Sequence, residues 1–227
     1  MTAPDRALVD AVRAALAESA DPSRATAMQA YMKSALPFYG AARPARDAAL
    51  KPLLAAHPPA DRATWEATVR ALYDEAGYRE ERYAALALLQ REKRWRDPGL
   101  VPLVEHLVVA GAWWDLVDEI AGRTVAPLLR AHREAMTPVV LRWSASDDLW
   151  LRRTSVLSQL GKGEVDRALL TDVVLAAAPS KEFFLRKAIG WALRDLAHRD
   201  PDWVRGFLAE HGGRLSPLSV REASKHL

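Results

Sequence analysis

The feature that most constrains the fold is the spacing of the apolar residues. No stretch between turn signals alternates apolar and polar residues with a period of two, the pattern that a half-buried strand requires. Helical spacing runs through the chain instead: Leu8, Val9, Val12 and Leu16 form one stripe, Val69, Leu72 and Tyr73 another, and Leu103, Val104, Leu107 and Val108 a third. Composition points the same way, with 42 alanines against two isoleucines, because alanine favours helix and β-branched residues favour strand. Breaks fall at Asp21-Pro22, Arg43-Pro44, Pro58-Pro59, Asp97-Pro98, Pro179 and Asp200-Pro201. They leave segments of about 12 to 18 residues, ordinary for globular helices. The chain reads as all-α.

With 227 residues the chain is long enough to bury roughly 70% of its unfolded surface and needs no disulfide or metal staple. The absence of cysteine removes thiol catalysis, thiolate metal sites and disulfides together. No apolar run approaches the ~20 residues of a membrane span, and the opening MTAPDRALVDAV is unlike a signal or transit peptide. The expectation is a cytoplasmic monomer. His57, His106, His132, His198, His211 and His226 include no H-x-x-x-H pair, so no metal site is expected. Walker, dinucleotide-binding and nucleophile-elbow motifs are absent too, and no cofactor is expected. No low-complexity linker divides the chain, which reads as one domain over residues 1–227. A formal charge of +3 with a pI near 9.3 permits a polyanionic partner without demanding one.

A weak internal echo refines the architecture. Glu81 to Leu86, Leu151 to Val156 and Leu185 to Gly190 share a basic start followed by small and apolar residues. Arg152 and Arg186 are one unit of about 35 residues apart, and Arg82 and Arg152 two units. An intermediate copy would fall near position 117. Helix-pair repeats of ~34–47 residues stack into α-solenoids in which one helix of each pair lines a shared face. In that phase Arg82, Arg152, Arg153, Arg186 and Lys187 recur near the starts of repeat helices, so a small net charge is compatible with a basic concave face.

Three segments could carry chemistry. In Trp113-Trp114-Asp115-Leu116-Val117-Asp118, adjacent helical residues point about 100° apart. Trp113 therefore joins Val117 and Ile120 on an apolar stripe suited to the core, while Trp114 shares a face with Asp118. That pair is either a boundary indole beside a solvated acid, or an aromatic wall beside a working carboxylate. In Asp147-Asp148-Leu149-Trp150-Leu151-Arg152-Arg153, one aspartate can cap a helix. One arginine can serve the surface while the other faces inward, where a guanidinium suits phosphate; a solvated basic pair is the plainer alternative. In Ser180 to Arg194, Ser180 to Phe183 reads as a cap opening a helix. Gly190 is then mid-helix, where it costs ~1 kcal/mol relative to alanine and implies close approach of another backbone or ring. Trp191 follows it, equally suited to core packing or to function.

Taken in order, these segments resemble the AlkD-type DNA glycosylases, alkylpurine-excising enzymes built from HEAT-like helical repeats. The resemblance runs from Tyr31-Met32-Lys33 and Phe38-Tyr39-Gly40 through Trp113 to Asp118, Trp150 to Arg153 and Lys181 to Phe184. It continues through Lys187 to Trp191 and Leu218 to Ala223. It implies a HEAT-like α-solenoid whose concave, basic face holds double-stranded DNA containing alkylated purines. The catalytic Asp falls on Asp118, two cleft tryptophans on Trp114 and Trp191, a DNA-facing Arg on Arg153 and a cleft Tyr on Tyr31.

The implied reaction is hydrolysis of the N-glycosidic bond of N3- or N7-alkylated purines, without a metal or cofactor. Such a base is cationic and leaves without a general acid; a carboxylate stabilises the oxocarbenium-like sugar and positions water. The sequence departs from the family pattern at two places. After Gly40 it has Ala41-Ala42-Arg43-Pro44, and Ala42 cannot hydrogen-bond to DNA. Where a lysine-rich turn is expected it has Gly161-Lys162-Gly163-Glu164. Arg43 and Lys162 are the DNA-binding candidates left in those stretches. The alternative is a non-catalytic HEAT-like protein that binds damaged DNA or a protein partner.

Overall fold

The computed structural model describes residues 2–227, and among these no strand occurs. The chain divides into two compact units, Met1–Trp95 and Arg96–Leu227.

Unit 1 contains α1 (Arg6–Glu18), α2 (Pro22–Met32), α3 (Arg43–Ala56), α4 (Arg62–Asp74) and α5 (Arg79–Arg91). Acidic caps start three of them: Asp5, Asp21 and Asp61 each accept a backbone N–H from the first turn, satisfying one of the free donors there. The stripe Leu8, Val9, Val12 and Leu16 buries α1 among α3, α4 and α5. By contrast α2 has no buried residue.

The loop from α2 to α3 is held by backbone bonds at both sides, Asp21 N–H to Tyr39 O and Arg79 N–H to Pro37 O. The fully buried Glu80 carboxylate accepts the N–H groups of Tyr39 and Gly40. Gly40 has φ +85°, and a Cβ there would lie 2.0 Å from Asp21 O. Only glycine fits.

Unit 2 is a stack of helix pairs. The members are α6 (Val101–Gly111), α7 (Trp114–Ile120), α8 (Ala126–Ala131), α9 (Arg133–Ser144) and α10 (Leu149–Val156). They are followed by α11 (Arg167–Ala177), α12 (Phe183–Ala197), α13 (Pro201–His211) and α14 (Pro217–Ala223). A π-helical turn, Ala121–Val125, joins α7 to α8. α7, α10, α12 and α14 form a row in which each packs on the next, and α8, α9 and α11 form a parallel succession.

The expected period of about 35 residues reappears as bonds between equivalent places in neighbouring pairs. Asp118 meets Arg153 across 35 residues, Gly161 meets Asp195 across 34, and Arg186 meets Ser219 across 33. A repeat stacked in register produces this pattern.

Most expected breaks separate helices where they should: Pro22 and Pro201 open helices, and Pro58-Pro59 and Pro179 lie between them. One cap differs. α12 begins at Phe183 behind Glu182, and Ser180 lies two residues further out, where its hydroxyl accepts the Glu182 N–H.

Gly190 is where α12 and α14 come closest. A Cβ on it would sit 2.4 Å from Glu222 Cβ and 2.8 Å from Ser219 O. The Glu222 carboxylate, 7% exposed, then reaches Lys187, Arg194 and Lys225 at 3.0, 2.5 and 2.9 Å. Bonds from Lys225 and Lys187 hold its pKa down at about 2.

Two outcomes follow from this contact. Gly190→Ala gains ~1 kcal/mol of helix propensity, but overpacking costs about 1–3 kcal/mol, and one of the obstructing atoms is backbone. The variant should show a lower urea midpoint than the wild type; a raised midpoint would show that α14 moves aside freely. A depressed carboxyl pKa stabilises the fold above its unfolded-state value, and that stabilisation fades as pH falls from about 4.5 towards 2. Glu222→Gln should therefore flatten the acid limb of a stability–pH curve in that window. An unaltered acid limb would mean that Glu222 is not held by its cations.

Candidate active site

α6 ends at Ala112 in the left-handed region (φ 40°), which turns the chain so that Trp113 takes the cap position of α7 in an extended conformation. Trp114 is then the first helical residue. Leu116, Val117 and Ile120 are completely buried and fix which way α7 faces. Trp114 and Asp118, one turn apart, lie on its half-buried side, as the spacing requires. Trp113 is outside the helix and only half-buried. Its ring packs 6.0 Å from Trp150 and 5.3 Å from Phe184, with Trp150 and Phe184 also 5.3 Å apart. Its indole N–H is buried without a hydrogen-bond partner among the described residues.

α10 is capped by Asp148, which accepts the N–H groups of Trp150 and Leu151. This start places Arg153 one turn in, facing α7 and α12. Arg153 Nε donates to Asp118 Oδ1 at 2.7 Å and Nη2 to Oδ2 at 2.8 Å, while Nη1 donates to the Phe184 carbonyl. The arginine side chain is 5% exposed and the aspartate side chain 13%. Burial pushes the Asp118 carboxyl above the ordinary aspartate range, and the Arg153 guanidinium opposes that shift without cancelling it. A carboxylate that accepts a two-pronged guanidinium is ionised and still has a free lone pair on each oxygen. It is a preoriented anion in a mostly dry setting, with one edge open.

The other expected site residues fall in several places. Trp191 is half-buried in the middle of α12, and Arg153 bonds to the backbone of that helix near its start. Lys162 is exposed in the turn after α10, between Gly161 and Gly163, both of positive φ. In unit 1, Tyr31 is 75% exposed near the end of α2. Arg43 is exposed as the first residue of α3 and pairs with Asp47 at 3.5 Å. Ala42 occupies the cap position of α3 and supplies no side-chain bond there.

Arg153 departs most from the phosphate-facing placement that the family resemblance implies, because its donors turn inward to Asp118 and to α12. Three of the other echo residues are similarly engaged within their own units. Arg82 donates to Tyr73 O, Arg186 to Ser180 O, and Lys187 pairs with Glu222. Sequence reasoning missed the Asp118–Arg153 pair, although the residues sit one repeat period apart. It missed the Trp113–Trp150–Phe184 cluster and the Glu222 hub as well. No local pattern signals either.

The family model for DNA alkylation repair enzymes matches residues 12–227. No curated protein matches the chain. A solved structure, "Predicted DNA alkylation repair enzyme from Enterococcus faecalis", is 30% identical and superposes with a TM-score of 0.82. The match covers 92% of this chain and 97% of that one. With helix pairs throughout unit 2 and a model match over nearly the whole length, the chain belongs to the family of DNA alkylation repair enzymes, and its role is in the repair of alkylated DNA.

Proposed function

We propose that the chain is a monofunctional DNA glycosylase that hydrolyses the N-glycosidic bond of cationic N3- or N7-alkylated purines in duplex DNA. The observation that carries this reading is the Asp118 carboxylate, which shares a face of α7 with Trp114 and is held on both oxygens by the buried Arg153 of α10. An alkylated purine already carries the positive charge that makes it a leaving group. The bond therefore breaks without a proton donor, and the charge that needs stabilising develops on the sugar. A fixed anion costs no reorganisation at that moment, and a dry setting strengthens it. Its free lone pairs can also align the attacking water.

Trp114 and Trp191 are the proposed cleft walls, offering electron-rich indole faces to a cationic sugar or base, with each such contact contributing ~0.5–2 kcal/mol. Arg153 acts here first as the residue that aims Asp118, and only through its remaining donors as a phosphate contact. Tyr31, Arg43 and Lys162 are proposed to engage the DNA backbone, which fixes register without reading sequence.

Asp118→Asn retains the shape of the side chain and removes its charge. Single-turnover excision of N7-methylguanine from a duplex should fall by about 100-fold or more, the scale on which preorganised electrostatic groups act, while duplex binding persists. Because the variant leaves the Arg153 charge less compensated, its melting temperature is measured alongside, and the comparison is made well below it. Excision at the wild-type rate would remove Asp118 from the mechanism. A wild-type protein that binds alkylated duplex and releases no base would instead be a damage-binding protein.

The product of hydrolysis is an abasic site, and no lysine is assigned to Schiff-base chemistry. Borohydride added during turnover should trap no covalent protein–DNA adduct; a trapped adduct would show lyase activity and a different nucleophile.

A further inference from the structure

No buried side chain anchors α2. Tyr31, in its last turn, is 75% exposed. A helix of 11 residues is marginal by itself in water, so the direction in which it points depends on what meets its ends. Its first turn carries a tertiary bond, from the Asp21 N–H to Tyr39 O at 2.9 Å. Gly40 lies so close to the same turn that a Cβ on it would meet Asp21 O and, at 3.0 Å, Ala25 N. The start of α2 therefore rests on Tyr39 and Gly40.

Those two residues rest in turn on the start of α5. The Tyr78 ring stacks on Tyr39 with centroids 3.9 Å apart, and the Arg79 N–H donates to Pro37 O. The Glu80 carboxylate takes the Tyr39 N–H on one oxygen at 3.1 Å and the Gly40 N–H on the other at 3.0 Å. Glu80 is fully buried. Burial pushes its carboxyl above the ordinary glutamate range, and backbone N–H groups, those of Tyr39 and Gly40 among them, oppose the shift. An acid enclosed in this way costs free energy unless its oxygens are bonded, and both are engaged by one loop. The glycosidic chemistry makes no use of it.

We propose that Glu80 is a positioning residue for duplex binding: by holding the amides of Tyr39 and Gly40 it seats the first turn of α2 and so aims Tyr31. The proposal rests on the preceding reading that Tyr31 engages the DNA backbone. Two oxygens gripping consecutive amides fix the loop in orientation as well as in place. A helix already seated also spares the entropy of ordering it on the ligand.

The test is a double-mutant cycle, read as equilibrium binding of the full chain to an unmodified duplex at constant salt. Tyr31→Ala and Glu80→Gln should each weaken binding about 10-fold, the scale of one hydrogen bond to a charged group. Glu80→Gln retains the size of the side chain and turns an amide N–H group towards backbone donors. In that background Tyr31→Ala should cost less than about two-fold more, because residues that act as a unit are not additive. A role in global stability alone would make the two losses multiply. Trypsin should also cut after Arg24 and Lys33, within α2 and at its C-terminal cap, sooner in Glu80→Gln than in the wild type while both are folded.

Should Glu80→Gln fold poorly, Gly40→Ala reaches the same seat from the other side. It leaves the acid in place and pushes on the first turn of α2, a helix with no buried residue to oppose the movement. It should show the same coupling to Tyr31. Losses that multiply in a folded variant overturn the proposal and leave duplex binding by Tyr31 intact, as does a folded Glu80→Gln protein with wild-type affinity. Wild-type affinity in Tyr31→Ala overturns both. The expected coupling in a protein that excises no alkylpurine would support the seat and defeat the glycosylase reading.

Discussion

Arg153 carries a full charge into a place where little water reaches it, and the geometry around it follows from how that charge is met. Asp118 takes two of its donors and the backbone of α12 a third, so one side chain on α10 ties down the helices on either side. Ion pairs of this kind contribute little net stability, because desolvation offsets most of the attraction. Breaking one is expensive, at about 3–5 kcal/mol, because the remaining charge stays buried and unmatched. The pair therefore serves orientation more than stability. It leaves the carboxylate in one rotamer, on the side of α7 that also carries Trp114. Preorganisation of that sort is what electrostatic stabilisation of a developing cation requires.

The Glu222 hub has the opposite charge arrangement. At Arg153 a cation is matched and enclosed, whereas at Glu222 an anion is enclosed and the cations remain in reach of solvent. Gly190 makes the second arrangement possible by removing the one side chain that would hold α14 away from α12. The net charge of +3 conveys none of this. Arg123, Arg133, Arg142, Arg167 and Arg199 each have an acid of their own, whereas Lys187, Arg194 and Lys225 share one beside the helix that carries Trp191.

Much of the local structure was legible in the sequence. Prolines and acidic caps mark the helix starts, the Trp114–Asp118 spacing determines a shared face, and a glycine inside a helix pointed to a close neighbour. The repeat period was legible too, though only as a weak echo of basic and small residues. The fate of individual charges was not legible. Arg152 and Arg153 are adjacent and chemically identical, yet Arg152 is half-exposed and Arg153 almost fully enclosed. Trp113 looked like a core residue on the stripe of Val117, but as the cap of α7 it lies outside the helix and packs against Trp150 and Phe184 instead.

The reason lies in the range of the interactions. Apolar periodicity, caps and breaks act within a turn or two of the chain, so the sequence alone determined an all-α protein, the approximate extent of its helices and the face on which Trp114 and Asp118 meet. The partners of Asp118 and Gly190, and Lys187 and Arg194 at Glu222, are 28 to 35 residues away along the chain. Which of them meet depends on how one helix pair is rotated and shifted on the next. Packing of the buried stripes decides that rotation, and only the tertiary structure shows that it turns Arg153 inward to a carboxylate and leaves Lys187, Arg194 and Lys225 converging on a single acid.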